Sequence, residues 1–295
     1  MAASGPVLYG VIGGSGVYKM DCLTDVSEIE IDTPFGKPSD KVIVASIEGV
    51  RCAFIPRHNR NHIYTPSEVP YAANIYALKT LGVKYLLSVT AVGSLQEHLK
   101  PGDLVVASQF VDKTTGIRRS TFFGDGCVGH VPMGLPFDPI FADVAVHAIT
   151  AALPEVTVHP RGVMVTMEGP AFSTKAESMA NRAFCGADLI GMTTATESKL
   201  AREAEMAHCV VAMVTDMDAW SDAPHVDVAT VMKTLASNGH HAQIFTKAII
   251  LALHAKGEFK CEAHDACQFA VMTKKDHIPA ATLKKLEPIV GRWIN

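Results

Sequence analysis

The chain lacks a strong charge of either sign. Its 26 lysines and arginines stand against 30 aspartates and glutamates, a formal net charge of −4, and the basic residues do not gather into a cluster. Nucleic acids and anionic membranes are held by concentrated positive charge, so neither is expected as the main partner. Long hydrophobic runs are also missing. No uninterrupted apolar stretch approaches the roughly 20 residues needed to cross a bilayer. The start, MAASGPVLYG, has no basic lead or apolar core, so no secretion signal is expected. Seven scattered cysteines, an odd number, form no tight framework. They fit reduced thiols and a cytoplasmic location. Cys261, His264 and Cys267 recur every third residue, with His254 upstream. That interval suits part of a zinc site, but the paired-cysteine knuckle is absent. We read an ordinary, partly buried helical face and no metal. What is present is a soluble composition, 48% hydrophobic and 19% charged over 295 residues, long enough to bury a sizeable core.

No repeat, low-complexity tract or linker divides the chain, so one catalytic domain over 1–295 is expected. Strand-like apolar runs alternate with helical patterns, which predicts an α/β fold with a largely parallel or mixed sheet. Strands are expected at 7–12, 41–47, 52–56, 85–90, 104–110, 162–167, 188–192 and 210–214. A helix is expected over 67–81, with Ser67 as its N-cap, Glu68 and Pro70 in its first turn and Gly82 as its stop. Further helices are expected over 139–153, 176–184, 197–206 and 226–251, the last broken near Asn238-Gly239. Residues 112–129 form a long polar loop of the kind used as a lid, a binding loop or a subunit contact. From about 256 to 295 the pattern is a terminal helix plus an extended tail of uncertain placement.

The chain is organised around one stretch, VVAMVTDMDAW at 210–220. A continuous β-rich run stops at Asp216 and Asp218, which point the same way if the chain stays extended. The carboxyl end of a central strand is where open α/β sheets hold ligands. Other strand ends are polar too. Gly13-Gly14-Ser15-Gly16 suits a small anion, although a plain tight turn stays open. It is not the G-x-G-x-x-G dinucleotide pattern. Arg57, His58 and His62 follow a second strand, and an arginine there is a fork for a phosphate or carboxylate. Thr90 to Ser94, Glu168 to Ser173 and Met192 to Thr194 end three more. Ser15, Arg57, His58, Thr90 and Thr193 are suited to an oxyanion, and the aspartates to a heterocycle with N–H groups or a ring nitrogen. A phosphate at one end and a heterocycle at the other suggest phosphorolysis of an N-glycosidic bond.

The segments IGGSG, DTPFGKPSD, PRHNRNH, VPYAANIYALK, TAVGSL, PGDLV, EGPAFST, IGMTT and TDMDAW occur in this order from about Val11 to Leu251. Together they resemble the S-methyl-5′-thioadenosine phosphorylases, a branch of the trimeric nucleoside phosphorylase family. The resemblance implies one three-layer α/β domain with a mixed, twisted central sheet flanked by helices, assembled as a homotrimer with sites near subunit interfaces. It implies a phosphate site at Ser15, Arg57, His58, Thr90, Ala91 and Thr193, with Arg57 bidentate to phosphate. The base and ribose would meet Phe172, Ser173, Met192, Asp216 and Asp218. The alkylthio end would meet His62, Val228, Val231 and Met232, with His130 supplied by a neighbouring subunit. No metal or organic cofactor is implied, and inorganic phosphate is the co-substrate. Asp216, raised by burial behind Met217 and Trp220, would protonate the imidazole ring of the leaving base. Asp218 would accept from its exocyclic amine, which favours six-aminopurines. Asn59, Ala171 and Thr196 depart from residues frequent in the family: glycine, arginine and proline respectively. The competing readings are a broader purine nucleoside phosphorylase, a nucleosidase that uses water, a dinucleotide-binding oxidoreductase and a binding module without turnover.

Overall fold

A computed structural model describes residues 6–14, 17, 20–221 and 228–294; over 228–237 it describes the helical backbone alone. The strands are β1 (Tyr9–Gly13), β2 (Leu23–Ile29), β3 (Val42–Ile47), β4 (Val50–Pro56), β5 (Tyr85–Ser94), β6 (Leu104–Val106), β7 (Gln109–Lys113), β8 (Val158–His159), β9 (Val163–Met167), β10 (Leu189–Gly191) and β11 (Ala207–Asp216). The helices are α1 (Tyr71–Thr80), α2 (Pro139–Ala152), α3 (Lys175–Phe184), α4 (Thr194–Glu203), α5 (Val228–Lys256) and α6 (Ala280–Val290).

All the strands join one mixed sheet, and its centre is the parallel pair β5 and β11, in register from Tyr85 opposite Ala207 to Gly93 opposite Asp216. The other edge of β5 is divided. Its first half pairs parallel with β1, and its end pairs antiparallel with β10. The sheet therefore gathers the ends of β1, β5, β10 and β11 in one region. Side chains alternate along these strands and feed two cores. Val11, Leu87 and Val211 pack with Phe141, Phe245 and Ile249, from α2 and α5. Ile12 and Leu86 pack on the other face with Ile75, Leu200 and Leu286, from α1, α4 and α6. The result is the expected three-layer α/β arrangement.

Several boundaries differ from the sequence reading, each for a local reason. The first helix begins at Tyr71, and Pro70, which has no side-chain cap, occupies its N-cap. A proline steers the preceding residue, Val69, away from helical backbone. Residues 65–69 form their own turn instead, in which Glu68 accepts from the N–H and hydroxyl of Thr65. Ser67 caps nothing and donates to Glu168. The expected strand over 104–110 is two strands, because β6 pairs with β11 while β7 pairs with β9. Helix α5 runs unbroken through Asn238-Gly239. An interior glycine costs only about 1 kcal/mol, and Ala242, Phe245, Ile249 and Leu253 lock this helix into the core.

The C-terminal segment is not an extended tail. It folds back through 3-10 turns at Glu262–Asp265 and Lys275–His277 into α6. Tyr76 Oη donates to Lys285 O at 3.1 Å, and buried Glu205 accepts from Trp293 Nε1 at 2.7 Å and pairs with Arg292. The Cys261–Cys267 stretch is a 3-10 turn rather than an α-helical face. The Cys267 thiol donates to Glu203 O, and His264 packs edge-on against Tyr85. No helix among the described residues is long and apolar enough to cross a membrane.

Candidate active site

Strand β11 delivers the aspartates through a bulge. Val214 is opposite Val92 and Asp216 is opposite Gly93, so Thr215 is the extra residue and donates its hydroxyl to Val92 O at 3.1 Å. A bulge bends a strand and re-aims its side chains. The two aspartates do not share an extended face, because Asp218 turns into the left-handed region at φ 47°. A local turn brings them together instead. The Asp218 N–H donates to Asp216 Oδ1 at 2.9 Å, and Asp216 Oδ2 lies 2.7 Å from the Thr215 hydroxyl oxygen. Gly93 leaves the space they occupy: a methyl group there would lie 3.0 Å from Asp216 Oδ1 and 3.3 Å from Asp218 Cβ.

The more deeply buried carboxyl is that of Asp218, not Asp216 as the sequence suggested. Burial pushes Asp218 above the usual carboxylate range, against the opposing hydrogen bond donated by Ser178 on α3. Ser178 itself is held in place by a helix start with a full capping box, Thr174 and Glu177. Trp220 closes this end, with its Nε1 donating to Ser94 O at 2.8 Å and Arg182 3.8 Å above its ring.

Arg57 lies at the end of β4, only 3% exposed. Its fork is turned toward the protein. Nε and Nη2 form two parallel bonds to Glu197 of α4, Nη1 donates to Val89 O at 3.1 Å, and Nη2 also reaches Ile12 O at 3.5 Å. A guanidinium has five N–H donors, so one remains, on Nη1. This geometry overturns the bidentate grip on phosphate expected from sequence: Arg57 is available to a ligand through its charge and one N–H. Ser88 donates its only hydroxyl hydrogen to Glu197 Oε2 at 2.9 Å. His208 Nε2, 2.9 Å from Ser88 Oγ, must then carry the proton and donate. Burial holds this imidazole neutral, down to about 3.

His58 is neutral for a similar reason. Burial, with Arg57 beside it, pushes it down to about 4. Its Nδ1 lies 2.9 Å from Tyr64 O and so holds the ring proton, which leaves Nε2 as an acceptor. His62 stacks on it at 4.7 Å. Asn59 has a φ of 68°, which Asn tolerates and which Nδ2 fixes by donating to Ser39 O at 2.8 Å.

Thr90 is buried on β5 beside Ala91, and Thr193 is buried at the start of α4. The Thr193 hydroxyl finds no partner among the described residues. Buried hydroxyls are nearly always bonded, so this one is suited to a ligand. Met192 lies between these groups and Gly169, where an added methyl would meet its sulfur at 2.5 Å. Its carbonyl accepts from Arg118, which also binds Glu168 and so ties the 114–138 loop to this wall. Phe172 is 45% exposed, and the Ser173 hydroxyl donates to Met167 Sδ at 3.8 Å. His130 is exposed on the long loop, which is pinned to the C-terminal segment through its own N–H and Ala270 O. Ser15 falls outside the described residues, as do the side chains of Val228, Val231 and Met232.

The described groups are thus strung along β5, with the Arg57, Thr90 and Thr193 set near Thr90 and the acid pair at Gly93. Three residues of strand separate them, about 10 Å. Sequence reasoning missed Ser88 and His208, which help orient Arg57, and Ser178, which orients Asp218; Glu197, the main partner of Arg57, left one trace, an acid in the first turn of α4.

Residues 8–251 match the model of the phosphorylase superfamily. The chain is 49% identical over 287 residues to the S-methyl-5′-thioadenosine phosphorylase of Chloroflexus aurantiacus, covering 96% of this chain and 97% of that one. The protein of the same name from a Synechocystis strain is also 49% identical, covering 96% and 87%. These spans leave too few residues unmatched to exclude the C-terminal segment, so the likeness extends past Leu251. Among solved structures, a methylthioadenosine phosphorylase from an antarctic soil metagenomic library has a TM-score of 0.91 at 44% identity, covering 96% of this chain and 99% of that one. The Schistosoma mansoni methylthioadenosine phosphorylase in complex with adenine has a TM-score of 0.82 at 36% identity, covering 92% and 99%. With the strand ends, the sheet order and the full-length likeness in agreement, this chain belongs to the phosphorylase superfamily.

Proposed function

We propose that the protein catalyses phosphorolysis of S-methyl-5′-thioadenosine. A phosphate oxygen bonds to the anomeric carbon, the bond from that carbon to the purine breaks with its electron pair leaving on the base, and the base takes up a proton. The products are adenine and 5-methylthioribose 1-phosphate. The observation that carries this reading is the pairing, along β5, of a buried acid pair with an unpartnered Thr193 hydroxyl beside a buried arginine.

In this reading phosphate takes hydrogen bonds from Thr193, Thr90, the Ala91 backbone and the remaining Arg57 N–H, with Ser15 closing the loop side. Neutral His58 has only an acceptor to offer, so it receives a P–OH. Phosphate is a dianion beside a sugar that develops positive charge, and it stabilises that charge directly. At the other end Asp216, held by Thr215 and the Asp218 N–H, acts in its protonated form: its O–H bond breaks as the proton passes to the imidazole ring of the leaving base, and it is left as the carboxylate. Asp218 accepts from the exocyclic amine. Phe172, Ser173 and Met192 enclose base and ribose. His62, Val228, Val231 and Met232 form the alkylthio pocket, with His130 of a neighbouring subunit in a homotrimer. The reaction needs no metal or organic cofactor, and we assign it to purine and methionine salvage in the cytoplasm.

The test is adenine release from methylthioadenosine by the purified protein, with and without inorganic phosphate. Adenine that appears only with phosphate, alongside a phosphorylated sugar, is the expected result. Adenine released equally without phosphate makes the protein a hydrolase, and no adenine in either case rejects the reading.

A further inference from the structure

A second cavity, of about 340 Å³, lies between the start of α2 and the turn that follows Cys261. No residue of the candidate active site lines it. Arg202, in the last turn of α4, does. It is only 4% exposed, its Nη2 donates to Leu135 O, and its Nε is buried with no partner. Arginine does not shed its proton in a protein, so this is a buried cation with an unmade hydrogen bond, which proteins rarely leave. Asp138 does not answer it, because its carboxylate caps α2, accepting from Phe141 N at 2.7 Å. Asp265 bonds Arg292 at 3.3 Å.

The rest of the wall narrows the choice of ligand. Phe137, Pro139 and Ile140 are apolar, while Lys260 and Glu262 are exposed at the rim and of opposite charge. A simple anion would satisfy Arg202 and be repelled by the acids. A molecule carrying a carboxylate, an ammonium group and an apolar side chain meets all three kinds of wall. We infer that this cavity binds a free α-amino acid with an apolar side chain, its carboxylate on the Arg202 guanidinium, its ammonium group toward Glu262 and its side chain against Phe137 and Ile140. The site is separate from the phosphate groups, because α4, ten residues and so about 15 Å long, runs from Thr194 to the turn holding Arg202.

The probe is L-leucine, with binding followed by calorimetry on the intact protein in saturating phosphate, so that the phosphate site is filled. Saturable binding, weakened at least tenfold in Arg202→Met, is expected. Ile140→Trp fills the cavity without touching the arginine, and it should abolish binding while turnover stays at the wild-type level. This second variant keeps the test decisive if Arg202→Met folds poorly. Two analogues separate the recognised groups: 4-methylpentanoate lacks the ammonium group and 3-methylbutylamine lacks the carboxylate, and both should bind at least tenfold more weakly. Equal binding by 4-methylpentanoate overturns recognition of a zwitterion. No binding of L-leucine, or binding unchanged in Ile140→Trp, overturns the site.

Discussion

Replacing Glu197 by glutamine tests whether Arg57 is held by its protein partners or waits for a ligand. The substitution keeps the shape but removes the negative charge that answers a guanidinium only 3% exposed. Both parallel bonds and the Ser88 bond weaken together. Breaking a buried ion pair from one side costs about 3–5 kcal/mol, because the other charge is left uncompensated. For a chain of this size that is a fall in melting temperature on the order of 10 °C. The measurement is urea denaturation at fixed protein concentration, together with the phosphate KM. Arg57→Met should cost a similar amount. The double variant Arg57→Met/Glu197→Leu should recover much of the stability, because a buried pair exchanged for apolar groups of similar volume is often neutral. It should not recover phosphate-dependent turnover. A stability loss below about 1 kcal/mol in Glu197→Gln would refute the buried-pair reasoning. A double variant with normal phosphate KM would remove Arg57 from the phosphate site altogether.

Three further outcomes are expected. Thr193→Val deletes a hydroxyl that has no partner among the described residues, so stability should hold or rise by about 1 kcal/mol while the phosphate KM rises; a stability loss without a change in KM would show the hydroxyl is bonded within the protein. Gly93→Ala sets a methyl 3.0 Å from Asp216 Oδ1 and should lower kcat by about tenfold or more, the effect of a small misplacement of reacting groups, with normal phosphate KM; unchanged kcat would mean the acid pair is not where the chemistry occurs. Burial raises Glu203 to about 7 from 4.5, despite bonds from Thr121 and Phe122. Its folded value lies above its unfolded one, so its contribution is complete below pH 4.5 and is lost as pH rises through 7, by about 3 kcal/mol at most. The stability of Glu203→Gln relative to wild type should therefore increase across that window, and a difference independent of pH would contradict the assignment.

Much of this molecule could be read from local pattern. Val210 to Val214 had to be a strand covered on both faces, since a continuous apolar run has no solvent face to offer, and the alternation of strands and helices led to the layered fold. The positions of Asp216, Asp218, Arg57 and Thr193 at strand ends were legible because chain direction and strand length fix where a strand stops. The first turn of α1 was misread because the effect of Pro70 on Val69 competes with a serine that looks like a cap. The terminal helix of the C-terminal segment is present as α6, and only the extended tail was misread, because contacts such as Trp293 with Glu205 are made across the molecule rather than between sequence neighbours.

The sequence by itself determined which elements form and which chemistry-bearing residues stand at their ends, since periodicity and turn residues act over a few positions. Tertiary structure alone decided what each of those residues is free to do. Arg57 meets Glu197 from 140 positions away, and Asp218 meets Ser178 from 40. Hydrogen-bond partners and burial set the state of a charged group, and both are properties of space that residues distant in the chain create together.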